Sequence, residues 1–60
     1  MQRYRVEYLS GRGAPCVLIA RYKPVLASGM FRVLGHPEAG GFERTYYISP
    51  DNLLSAELVK

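Results

Sequence analysis

Cys16 and His36 are the one thiol and the one imidazole of this 60-residue chain. Together they are the minimum from which a thiolate–imidazole pair could be built. That chemistry needs the histidine within hydrogen-bond reach of the sulfur and a third group to orient the ring. Cys16 follows Pro15 and opens the most apolar stretch of the chain, Cys16–Ala20. A free cysteine there serves as a small hydrophobic packing residue. His36 stands in Gly35-His36-Pro37 and reads as an exposed loop residue. Its other possible role is a ligand contact or a pH-sensitive contact at an interface. Two ligands are too few for a closed zinc site, and one cysteine makes no internal disulfide. Glu38 and Glu43 flank the Gly40-Gly41 pair, but neither lies in an apolar run that would raise its pKa for acid–base work. Gly11-Arg12-Gly13 lacks the third glycine of a dinucleotide loop and the Lys-Ser/Thr of a phosphate-binding loop. A nucleophile, a base and an orienting group cannot be assembled from this set. The expectation is a protein that binds rather than catalyses, with no cofactor and no metal.

The cations carry more information. The net charge is +3. Residues 1–37 hold six cations against Glu7 alone, a net +5, whereas residues 38–60 hold two cations against four carboxylates, a net −2. This asymmetry suits either a polyanionic partner for the basic part or self-association of basic against acidic surfaces. Arg3 and Arg5 alternate on one side of the first segment, Arg21 and Lys23 on one side of the second, and Arg32 and Arg44 follow. If the segments are neighbours, the cations form a stripe with Tyr22, Tyr46 or Tyr47 close enough to stack on bases. The predicted nucleic-acid contacts are Arg5, Arg21, Lys23 and Arg32 on phosphates and Tyr22 and Tyr47 on bases. The partner class is RNA or single-stranded DNA. An alternative reading is a homo-oligomeric or accessory protein-binding module with no nucleic-acid role. The five tyrosines favour interfaces, and Leu26, Met30, Phe31 and Leu34 exceed what a turn and a short edge strand need.

The elements that would position these residues are strands. Tyr4, Val6 and Tyr8 alternate with Arg3, Arg5 and Glu7, which predicts a strand over Arg3–Tyr8. Ser10–Pro15, with two glycines and a proline, reads as a loop. Cys16–Lys23 is the second predicted strand, with Cys16, Leu18, Ala20 and Tyr22 on one face, and Pro24 ends it. Pro24–Gly29 reads as a turn or a single helical turn closed by Gly29. Met30–Leu34 is a short third strand, Gly35–Gly41 a flexible loop and Phe42–Ile48 a fourth strand. Two readings of the C-terminus remain. Ser49-Pro50-Asp51 is a good helix start, and a helix over residues 50–60 would give an α+β meander. Alternatively, Pro50–Leu53 is one 3₁₀ turn before a strand Leu54–Val59, with Leu54, Ala56 and Leu58 inside. The second is preferred, because four strands alone leave a long edge unpaired.

Five short strands with a one-turn helix before the last resemble the small SH3-like barrels, which include the Sm-like proteins. Ile48-Ser49-Pro50-Asp51-Asn52-Leu53 is similar to the second Sm signature, with Ser49 and Pro50 where that family has arginine and glycine. The SH3 opening motif and paired tryptophans are absent, so the resemblance implies no proline-rich ligand. The expected fold is mostly β: one domain over residues 1–60, a small five-stranded antiparallel SH3-like barrel with a one-turn 3₁₀ helix before the last strand. A chain this short buries a small core, which homo-oligomerisation would supplement. The uncharged runs Gly13–Ala20 and Pro24–Phe31 fall well short of the roughly 20 residues of a membrane span. The N-terminal MQRYRVEY has no apolar core of an export signal. With a lone thiol, these features lead to an expected cytoplasmic location and no membrane partner.

Overall fold

A computed structural model describes residues 2–59 and consists of strands and turns. The strands are β1 (Arg3–Leu9), β2 (Pro15–Ala20), β3 (Val25–Ala27), β4 (Met30–Pro37), β5 (Arg44–Ile48) and β6 (Leu53–Val59). All neighbours are antiparallel. The order is β3-β4-β2-β1-β6, with β5 on the other side of β4, and the sheet curls into a half-barrel. The small, mostly β barrel expected from the alternation is the fold observed. With no helix among the described residues, none is long and apolar enough to cross a membrane.

β4 explains the curl. Residues 35–37 pair with β2 and residues 30–32 with β3 along one edge, while residues 31–35 pair with β5 along the other. β2 and β3 are therefore two parts of one ribbon, interrupted at residues 21–24. Pro24 cannot donate to a ladder. The Arg21 N–H still donates to the Leu34 carbonyl at 3.2 Å, which guides the chain across the gap.

The core is small: Val6, Leu18, Ala20, Val33 and Ile48 are buried, with Tyr4, Tyr8, Phe31, Tyr46 and Leu53 packed around them. Alternation fixes this face. Tyr4 opposes Ala20, Val6 opposes Leu18 and Tyr8 opposes Cys16 across β1–β2, and Phe31 opposes Ile48 and Val33 opposes Tyr46 across β4–β5. Residues opposed in this way share a face. Gly35 belongs to it as well: a Cβ there would collide with the Ile19 carbonyl oxygen. Only glycine permits β2 and β4 to approach so closely.

Several sequence expectations need correction. Val25–Ala27 is a strand rather than part of a turn, closed onto β4 through Ser28 and Gly29 at φ 54° and 81°. Two successive positive φ values make the primed hairpin turn that matches strand twist. Gly35-His36-Pro37 extends β4 instead of forming a loop, because β2 supplies ladder partners for it. His36 is accordingly half-buried, with Ile19 opposite. β2 ends at Ala20 and β5 begins at Arg44, so Arg21–Lys23 and Phe42-Glu43 lie outside the ladders.

No 3₁₀ helix precedes the last strand: residues 49–52 form a single turn in which the Asn52 N–H donates to the Ser49 carbonyl at 2.9 Å. The helix over 50–60 is likewise absent, since residues 53–59 are strand; Lys60 lies outside the described residues. Within β6 the inward leucine is Leu53, whereas Leu54, Ala56 and Leu58, expected inside, are exposed. A register shift at Glu7/Tyr8 makes Leu53 the partner of Tyr8 and leaves Leu54 exposed.

Candidate nucleic-acid interface

The outward face of β4 carries Arg32, two residues after Met30. Its cross-strand partners are Val25 on β3 and Tyr47 on β5. Leu34 follows on the same face with Thr45 as its partner. The interruption between β2 and β3 swings Tyr22 and Lys23 against this face. The result is a groove of about 410 Å³ walled by Tyr22, Lys23, Arg32 and Tyr47, with Val25, Leu34 and Thr45 completing the lining. Tyr22 is 62% exposed and Tyr47 66%. Their rings thus present large faces to solvent instead of filling the core. Lys23 and Arg32 make no ion pair among the described residues.

Four of the six predicted contact residues therefore converge. The other two do not join them in the same way. Arg21 lies next to this groove, in a second depression with Tyr4, Tyr22 and Lys23. Its Nε donates to Glu43 Oε2 at 2.7 Å, so its charge is already matched. Arg5 faces outward from β1, where its guanidinium sits 3.5 Å from both Glu7 Oε1 and Glu38 Oε2. It does not line the groove.

Two further cations also divide. Arg3 shares a smaller depression with Arg21, His36 and Glu43. Arg44 opposes buried Gly35 and so falls on the other face of β5 from Tyr47. Tyr46 packs against the core and is not placed to stack on a ligand. Val25 and Thr45 are not singled out by sequence, and Leu34 is singled out only as surplus apolar surface for a protein interface. The β4 alternation already puts Leu34 beside Arg32, but Val25 and Thr45 join them only through strand pairing.

Cys16 and His36 are separated by the sheet itself. Cys16 shares the inner face with Tyr8, whereas His36 shares the outer face with Ile19. The Cys16 thiol points to the Ala14 carbonyl at 3.6 Å, and His36 Nδ1 donates to the Pro37 carbonyl at 2.9 Å. Burial, reinforced by Cys16 and Tyr46 beside it, pushes the Tyr8 phenol above its usual pKa. Tyr8 is thus a neutral packing group at ordinary pH.

The groove is suited to an extended ligand with flat rings and negative charge. Aromatic faces accept stacking, two cations accept anionic oxygens, and Thr45 brings a hydroxyl that can donate or accept. No family model matches the chain, and neither a curated protein nor a solved structure matches it significantly.

Proposed function

We propose that the protein is a non-catalytic binding module that holds a short stretch of single-stranded nucleic acid, RNA or DNA, in the groove between Tyr22 and Tyr47. One observation carries the reading: two outward tyrosines and two cations without carboxylate partners among the described residues surround the same depression. The tyrosines stack on bases, and Lys23 and Arg32 contact phosphates. Stacking on an aromatic ring is sequence-tolerant, because every base has a π-face. The lone thiol suits a reducing cytoplasm.

Two phosphate contacts set a modest salt dependence. Each neutralised phosphate on a single strand contributes about −0.7 to the slope of log affinity against log salt. Two contacts give about −1.4, or roughly a sevenfold loss of affinity between about 50 and 200 mM salt. Fluorescence anisotropy with labelled single-stranded DNA and RNA oligomers measures this directly. Binding that weakens by that factor, and that exceeds binding to the matching duplex, is the expected result. No binding at low salt, or affinity indifferent to salt, rejects the proposal.

A further inference from the structure

β6 ends the sheet order, and its outer edge pairs with nothing among the described residues. Natural edges are blunted by shortness, by proline or by charge. β3 is only three residues long, and β5 has five with Arg44 at its start. β6 is seven residues long, contains no proline and no cation, and carries Glu57 as its one charge. It also bears three large exposed apolar side chains, Leu54 (51%), Leu58 (44%) and Val59 (45%).

The main-chain groups facing this edge follow from the register. The Leu9 N–H donates to the Asn52 carbonyl, and the Ser10 N–H donates to the Ala14 carbonyl. Odd residues of β1 therefore bond toward β6 and even ones toward β2. Glu7, Arg5 and Arg3 oppose Ser55, Glu57 and Val59, so those three β6 residues spend their bonds on β1. Ala56 and Leu58 direct their N–H and C=O groups outward.

We propose that β6 pairs antiparallel with β6 of a second copy, about a two-fold axis through Ala56. The choice of axis comes from charge and length. An axis at Glu57 places two carboxylates directly opposite, which is destabilising. An axis at Ser55 carries Leu58 and Val59 past the partner's strand, opposite its 51–52 turn. Centring on Ala56 sets Leu54 against the partner's Leu58 and Ser55 against the partner's Glu57. The two alanines then exchange a reciprocal pair of N–H···O=C bonds. Arg5 is the cross-strand neighbour of Glu57 but is engaged by Glu7 and Glu38, so the diagonal approach of the two carboxylates remains a cost of this register, smaller than that of placing them directly opposite. This pairing joins two half-barrels into one continuous sheet and is independent of the nucleic-acid reading.

The contact is small beside standard interfaces, so the dimer is expected to dissociate in the micromolar range. Sedimentation equilibrium of the full chain from about 1 to 500 µM spans that range. A reversible monomer–dimer transition is expected. Ala56→Pro removes only an outward N–H in each copy. With unchanged circular dichroism, it should raise the dimer dissociation constant by at least about tenfold, since two hydrogen bonds are lost. Should that variant not fold, Ala56→Cys in a Cys16→Ser background tests the register. Facing Cα atoms about 5.5 Å apart suit an inter-chain disulfide, which Val59→Cys should not form. A monomer throughout, a closed assembly larger than a dimer, a folded Ala56→Pro protein that dimerises as before, or cross-linking without preference for position 56 overturns the proposal.

Discussion

Arg5 and Arg32 occupy matching positions, each facing outward from the middle of a strand, yet their surroundings differ. Arg5 lies between Glu7 and Glu38. Arg32 lies between Val25 and Tyr47 and has no carboxylate partner among the described residues. A count of cations treats the two alike, but neighbours decide whether a charge is available to a ligand. On β1 the guanidinium is engaged within the protein. At the groove the strand partners are apolar and aromatic, so no carboxylate among the described residues competes for the cation.

The most damaging way to break this contrast is to move the strands that create it. Gly35→Ala drives a methyl group into the Ile19 backbone. We expect a loss of about 1–3 kcal/mol in urea denaturation, a large share of what a 60-residue domain has to spare, and weaker binding with it. Tyr47→Ala removes a groove wall without touching the core. Oligonucleotide affinity should fall by about 1–3 kcal/mol, while Tyr47→Phe retains most of it.

Arg32→Ala and Arg5→Ala then compare the two positions directly. Arg32→Ala should flatten the log–log salt slope by about 0.7, and Arg5→Ala should leave it unchanged. Equal flattening by both would erase the distinction between them. Glu43→Gln sharpens it from the other side. By releasing Arg21 next to Tyr22 and Lys23, it should steepen the slope by up to about 0.7 and cost little stability, as expected for an exposed ion pair.

The smallest effect concerns Tyr8. Its phenol is raised in the folded state, so its contribution is fully present below the unfolded pKa near 10 and is lost as pH rises through the folded value. Stability should decline in alkali less steeply for Tyr8→Phe than for the parent protein. Urea melts at increasing pH measure the difference.

Alternation made the inner face legible. Val6, Leu18, Val33 and Ile48 each sit two residues from another core-facing side chain within their own strands, and period two is a local property. The errors were non-local. β3 is too short to show a period, and it exists because β4 offers an edge to Val25–Ala27. Gly35-His36-Pro37 has the composition of a loop and becomes strand because β2 lies alongside. Leu53 displaced Leu54 from the interior through a register shift against β1. The site divided in the same way. Tyr22, Lys23, Arg32 and Tyr47 were recognisable by residue type. Glu7, two residues from Arg5 on the same strand face, was within reach of a local pattern, but Glu38 and Glu43, which also engage Arg5 and Arg21, stand 33 and 22 residues away, a separation that no local pattern spans.

The gap between β2 and β3 has a consequence for how this surface can change over generations. Tyr22 and Lys23 lie between two ladders and belong to neither. On the proposed function, substitutions there alter what the groove prefers while leaving strand pairing intact. Preference for one ligand over another can drift at these two positions without the molecule first having to survive a loss of foldedness.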